Sequence, residues 1–176
     1  MTDPVFADAD FLLTVRDARD PAKQARASAW HAHLWNEGLG RTSMQVMSEF
    51  YVNLRRMAGS RMTQDQAWTH TEMYFAWNPQ AIDADVMLNA RRIEQRHGIS
   101  WWDSMIVAAA QLQECALLLT EDLQDGGIYG TVTVRSPFTL EIREAAAIYA
   151  VAPRAAGPHR PRGRPRRAPR EAAAKR

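Results

Sequence analysis

Asp8, Glu49, Asp103 and Asp122 each stand beside an apolar segment, where a carboxylate is costly unless it binds something. Carboxylate oxygens are hard donors, and Mg²⁺ or Mn²⁺ is the cation they suit; Mg²⁺ keeps several waters and uses one or two carboxylates. A metal held this way polarises a phosphoryl oxygen, stabilises the leaving oxygen and lowers the pKa of an attacking water. The chemistry implied is hydrolysis of a phosphodiester. Asp10, Thr120 and Asp125 lie close by in sequence as auxiliaries.

Each acid also has a purely structural explanation. Asp103 follows Ser100 by three residues, so Ser100-Trp101-Trp102-Asp103 is a capping-box variant. Asp8 could cap a helix beginning near Asp10, and Asp122 could belong to a polar turn through Asp125-Gly126-Gly127. Glu49, at the border of an apolar stripe, could be solvated or paired with Arg41, Arg55 or Arg56. Residue by residue, caps and metal ligands both remain open.

Two strand ends and two helices must position these acids. Pro4 to Ala7 predicts a short buried strand ending at Asp8, and Ala116 to Thr120 another ending in Thr120-Glu121-Asp122. Helices are expected over Pro21 to Trp35, capped by Asp20, and over Gln45 to Met57, where Val46, Phe50, Leu54 and Met57 keep helical spacing. Further helices are expected over Thr63 to Ala76, Asp83 to His97 with a stop at Gly98, and Trp101 to Gln113. Arg41 to Met44, Ala81-Ile82 and Thr131 to Val134 read as extended. Strands alternating with helices predict an α/β domain with a mostly parallel sheet, whose ligands sit beyond the strands' carboxyl ends.

Other conspicuous residues have structural readings. His31 and His33 are two apart, on different sides of a helix, and so cannot form the usual i, i+4 metal pair. The tryptophans at positions 30, 35, 68, 77, 101 and 102 read as core or interface, with one of Trp101 and Trp102 exposed beside the acids. Cys115 is the sole cysteine and reads as a packed thiol. A lone cysteine, no run of about 18 apolar residues and a Met-Thr-Asp-Pro start lacking a signal-peptide pattern lead to the expectation of a cytoplasmic chain, away from membranes.

The net charge of +2 over 176 residues conceals an asymmetry. Residues 152–176 carry nine Lys or Arg and one Glu, a balance of +8; the remaining residues carry 13 basic and 19 acidic side chains, a balance of −6. That Arg/Pro/Ala-rich segment has no aromatic or long aliphatic residue and is expected to be a disordered tail. Its Arg162, Arg164, Arg166 and Arg167 are candidate RNA-phosphate contacts. The expected organisation is one folded domain over 1–140, a connector over 141–151 and the tail.

The acidic motifs resemble, in order, those of the PIN-domain ribonucleases, and in particular the VapC-type toxins of type II toxin–antitoxin pairs. Val5-Phe6-Ala7-Asp8-Ala9-Asp10-Phe11-Leu12 resembles the family's opening strand, and Ser43 through Phe50 the second motif, with Glu49. Gly98 through Ala110 is similar to the third, with Asp103, and Leu117 through Gly126, leading to Pro137-Phe138, to the fourth, with Asp122. The resemblance spans residues 4 to about 140. It implies a PIN-like three-layer fold and one or two Mg²⁺ or Mn²⁺ ions. Asp8 and Asp103 would be the direct ligands; Glu49 and Asp122 would bind a second metal or act through water. It further implies an RNA substrate, a cognate antitoxin docking over the acids, and a homodimer or toxin–antitoxin hetero-oligomer. Asp10 departs from the family, which commonly has Asn there. Two alternatives stay open: a haloacid-dehalogenase-type phosphatase using Asp8-Ala9-Asp10, and a non-catalytic RNA-binding module.

Overall fold

The computed structural model describes residues 3–57 and 62–145. Strands β1 (Val5–Ala7) and β3 (Leu117–Leu119) are buried at every residue, the pattern of parallel strands covered on both faces. They lie at the centre of a five-stranded sheet with β2 (Gly40–Arg41), β4 (Ile128–Tyr129) and β5 (Val132–Arg135), in the order β2-β1-β3-β5-β4. All pairings are parallel except β4 with β5, a hairpin turning at Gly130, whose φ of 64° suits glycine. Both edge strands are two residues long.

Helices flank the sheet: α1 (Ala9–Thr14), α2 (Pro21–Asn36), α3 (Met44–Arg56), α4 (Gln64–Glu72), α5 (Ala84–His97) and α6 (Trp101–Leu112). Local chemistry sets their starts. Asp20 accepts from the Ala22 and Lys23 amides with Pro21 in the first turn, Ser43 accepts from Val46, and Thr63 and Gln66 form a complete capping box. The small residues Ala108, Ala109 and Ala110 are buried on α6, which packs against β3 and β5 and pairs with α5.

The expected helix over Thr63 to Ala76 changes character at Met73. Met73–Trp77 is a 3₁₀ turn, in which residues three apart eclipse. That alignment puts Tyr74 and Trp77 together in the core, their rings 5.1 Å apart. Trp77 also lies against β2: a Cβ added at Gly40 would meet its ring at 2.3 Å, so only glycine fits there. His31 completes this cluster. Its Nε2 accepts from Trp35 Nε1 at 2.9 Å and lies 3.0 Å from the Tyr74 hydroxyl, and burial lowers its pKa to about 4. The ring is neutral and structural.

Ala81-Ile82 does not form the expected strand. Gln80 alone bridges to Ser43, exchanging bonds with the Thr42 carbonyl and the Met44 amide, and Ile82 is exposed. The chain instead turns into the Asp83 cap of α5. Packing runs past position 140: Leu140 and Ala145 are buried, the Leu140 carbonyl accepts from Trp30 Nε1, and Glu141 pairs with Arg26. The rest of the expected connector and the whole basic tail, including Arg162, Arg164, Arg166 and Arg167, lie outside the described residues.

Candidate active site

The register of β1 on β3 builds the centre of the site. Ala7 pairs with Leu119, so the next residues, Asp8 and Thr120, emerge side by side at the strands' carboxyl ends. Asp8 is buried and does two jobs. One carboxylate oxygen caps α1, accepting from the Ala9 amide at 2.6 Å; the other accepts from the Thr120 hydroxyl at 2.9 Å. Burial holds its carboxyl well above the usual range, and the charges of Asp10 and Glu49 raise it further, against the pull of those two hydrogen bonds.

Thr120 is buried as well, and its hydroxyl also accepts from the Asp122 amide at 3.1 Å. Its proton is thus committed to Asp8 and its lone pair to the turn carrying Asp122. These two bonds fix Asp8 and the turn carrying Asp122 relative to each other.

Asp10 accepts two backbone N–H bonds, from Phe11 and from Glu121, both at 2.6 Å. The second crosses from α1 to the loop after β3. An Asn has one acceptor oxygen and could accept only one of these directly, which gives a physical reason for Asp at this position. Burial raises the Asp10 pKa to about 6; the Glu121 and Phe11 amides oppose the rise, while Asp122 and Glu121 add to it. Glu121 carries the nearest ion pair, to Lys23 of α2 at 2.7 Å. Lys23 belongs to Arg19-Asp20-Pro21-Ala22-Lys23, a stretch that resembles the family's, but its pairing with Glu121, 98 positions away along the chain, carried no sequence signal.

Glu49 and Asp103 approach from the helices. Gln45, one turn before Glu49 on α3, donates to the Trp102 carbonyl at 3.3 Å and ties the two helix starts together. Burial raises the Glu49 carboxyl, with Asp122 and Asp103 as the repelling charges. Asp103 departs from the capping box: its amide bonds to Ser100 Oγ at 3.1 Å, while its carboxylate accepts from that same hydroxyl at 2.7 Å. Trp102 beside it is 63% exposed, an open aromatic face at the rim, whereas Trp101 is half-buried. Asp125 stands elsewhere, accepting from Arg135 Nε at 3.0 Å and the Ser136 amide at 2.9 Å, and so fastens its turn to the end of β5.

Asp8, Asp10, Glu49, Asp103 and Asp122 therefore share one electrostatic neighbourhood. Among the described residues, no ion pair neutralises any of them. Nor, among the described residues, does any group of three or more His, Cys, Asp or Glu come together so as to hold a metal ion by itself. The donors are oxygens, free of salt bridges among the described residues, at the carboxyl edge of the sheet. That set fits a hard divalent cation which keeps most of its waters. Cys115 is buried, its thiol pushed up by burial, and is no ligand candidate.

The PIN domain profile matches residues 5–124. The chain belongs to the PIN-domain family, which leaves the haloacid-dehalogenase alternative without support. No curated protein matches. Among solved structures, a toxin–antitoxin complex from Klebsiella pneumoniae shares the fold at a TM-score of 0.55 and 19% identity, covering 76% of this chain and 97% of that one. FitAB bound to a DNA fragment gives 0.60 at 18% identity, covering 78% and 97%. Mycobacterium tuberculosis VapC20, described as a sarcin–ricin-loop-cleaving toxin, gives 0.51 at 20% identity, covering 67% and 89%. At these identities the likeness establishes the PIN fold. No helix among the described residues is long and apolar enough to cross a membrane.

Proposed function

We propose that this protein is a metal-dependent endoribonuclease, the toxin of a type II toxin–antitoxin pair acting in the cytoplasm. The observation that carries the reading is the group of five acids with no salt bridge among the described residues, built around Asp8 and Thr120 at the carboxyl edge of a PIN sheet. RNA as substrate is supported by VapC20, described as cleaving the sarcin–ricin loop, and an antitoxin partner by the Klebsiella complex. A homodimer or toxin–antitoxin hetero-oligomer is the expected assembly.

Asp8 and Asp103 are the first-choice ligands of Mg²⁺ or Mn²⁺, with Glu49 and Asp122 for a second ion or water-mediated contact. The ion supplies positive charge beside the phosphate and a more acidic water. The protein supplies the rest. Thr120 and the Ala9 amide fix the Asp8 carboxylate, and Ser100 fixes that of Asp103. Glu49, which feels the charges of Asp122 and Asp103, would otherwise orient the attacking water. Trp102 offers a base a stacking face beside Asp103.

The test is cleavage of purified tRNA, rRNA and mRNA by the full chain. EDTA, Asp8→Asn and Asp103→Asn should each lower the rate at least about a hundredfold, the scale of losing one electrostatic stabiliser. Cleavage at the wild-type rate in either variant would refute the site. Equally tight RNA binding with and without metal, and no cleavage, would favour a non-catalytic RNA-binding module.

A further inference from the structure

We infer that Lys23 is a substrate-binding residue of this site: its ammonium takes a phosphate flanking the one that is cut, and so fixes how RNA lies over the acids. The inference deepens the ribonuclease reading and rests on it.

Lys23 stands in the first turn of α2, at the border of the acids. Its Nζ donates to Glu121 Oε2 at 2.7 Å, and the amide of the same Glu121 donates to Asp10 at 2.6 Å, so one residue joins the cation to the site. The bond to Glu121 raises the Lys23 pKa and the charge of Asp10 adds to it, which puts the ammonium within electrostatic reach of the acids. Of the five salt bridges among the described residues, only this one involves a residue that also bonds one of the five acids.

Structural gain does not account for this cation. A lysine in the first turn opposes the helix dipole, whose positive end lies there. The pair with Glu121 is open to solvent, with 45% of the Lys23 side chain and 40% of the Glu121 side chain exposed, and such pairs contribute little to stability. Yet the ammonium is held in place, with the Phe138 ring beneath it, 4.7 Å from Nζ to the ring centre. An ammonium has three donor hydrogens. Glu121 accepts one and Phe138 covers one side, so the exposed remainder can donate to a phosphate oxygen without giving up either contact. A fixed cation at the border also offsets the repulsion that RNA meets from the acids.

The charges show where along the site it stands. Burial raises both Glu49 and Asp10; the charges that add to it are Asp122 and Asp103 for Glu49, and Asp122 and Glu121 for Asp10. Asp122 is thus shared between a side made of Glu49 and Asp103 and a side made of Asp10 and Glu121. Exposed Trp102 adjoins the first side and Lys23 the second. A strand passing over the acids meets a stacking ring at one side and an ammonium at the other, and two such contacts decide which phosphate is presented.

The experiment is steady-state cleavage, by the full chain in Mg²⁺, of a short RNA carrying the cut mapped in tRNA, rRNA or mRNA. Lys23→Gln should raise KM at least about tenfold, the scale of one hydrogen bond to a charged group, with kcat nearly unchanged. Lys23→Arg should restore most of the loss. Glu121→Gln breaks the same ion pair from the other side and should lower KM, whereas a purely structural pair would make the two Gln variants alike. Arg26→Gln, one turn along α2, removes a charge that pairs with Glu141 and should leave KM unchanged. A neutral methylphosphonate at one of the two phosphates flanking the cut should raise KM for wild type by the same factor, and add nothing in Lys23→Gln. A wild-type KM in Lys23→Gln overturns the inference, as do equal losses in Lys23→Gln and Arg26→Gln, or a methylphosphonate effect that persists in Lys23→Gln at both positions. Each of these leaves the ribonuclease reading standing, because wild type still cleaves. No metal-dependent cleavage of any of the three RNA classes by wild type would sink that reading and this inference with it.

Discussion

Replacing Asp10 with Asn separates the two things its carboxylate does. The folded pKa is about 6 against 3.8 for an unperturbed Asp, so the rise is about 2 units, worth ~3 kcal/mol. Its sign follows from proton counting. Between those two values the folded chain binds more protons than the unfolded one, so this group's contribution falls as pH rises from about 4 and is fully lost by about pH 7. The wild-type profile alone would hide this. His31, with a folded pKa near 4, acts oppositely over the same window, since its unfolded ring takes up protons first. The difference between wild type and Asp10→Asn cancels that contribution. The variant loses the acceptor for the Glu121 amide, an offset of about 1–3 kcal/mol that stays nearly constant with pH. Urea unfolding in EDTA, from pH 4 to 7, should therefore show wild type losing ~3 kcal/mol relative to the variant. Saturating Mn²⁺ or Mg²⁺ should flatten the difference, because a cation among these acids keeps Asp10 ionised. Parallel profiles in EDTA would refute the account of Asp10 as a desolvated, repelled carboxyl.

Thr120→Val removes a donor to Asp8 and the acceptor for the Asp122 amide, and should lower stability by about 2–4 kcal/mol in urea titrations; Thr120→Ser should retain most of it. Gly40→Ala drives a methyl into the Trp77 ring and should destabilise by about 1–3 kcal/mol or more, with a changed tryptophan emission; wild-type stability would contradict the packing. The His31 ring should remain neutral down to about pH 4, read from its Hε1 chemical shift. Stability supplied by that neutral ring is complete above about pH 6.5 and is lost as pH falls through 4; a midpoint near 6.5 would mean that the ring is not buried among Trp35, Tyr74 and Trp77.

The parts of the fold legible in the sequence are those with local causes. Asp20-Pro21, Ser43, Thr63, Asp83, Gly98 and Ser100 mark helix ends because caps and left-handed stops act over a few residues. Long-range pairing decided what was missed. β4 is only Ile128–Tyr129 and exists by virtue of its hairpin with β5, and the switch to a 3₁₀ turn at Met73 follows from where Trp77 meets Gly40. At the site, Asp8 does cap α1, as its sequence position allowed, but with only one of its carboxylate oxygens. The other faces Thr120. Asp125 looked like a sixth acid because it follows Asp122 closely, but the pairing of its loop with β5 turns it toward Arg135.

The two-residue strands at both ends of the sheet have a consequence for association. Exposed edges are templates on which a neighbouring chain adds a strand, the route to both β-augmented complexes and aggregates. Here β2 and β4 offer only Gly40–Arg41 and Ile128–Tyr129, too little ladder to hold an added strand. A partner of this domain must be recognised through side chains on its helices and loops. The same truncation lets the protein accumulate without its own sheet recruiting further copies.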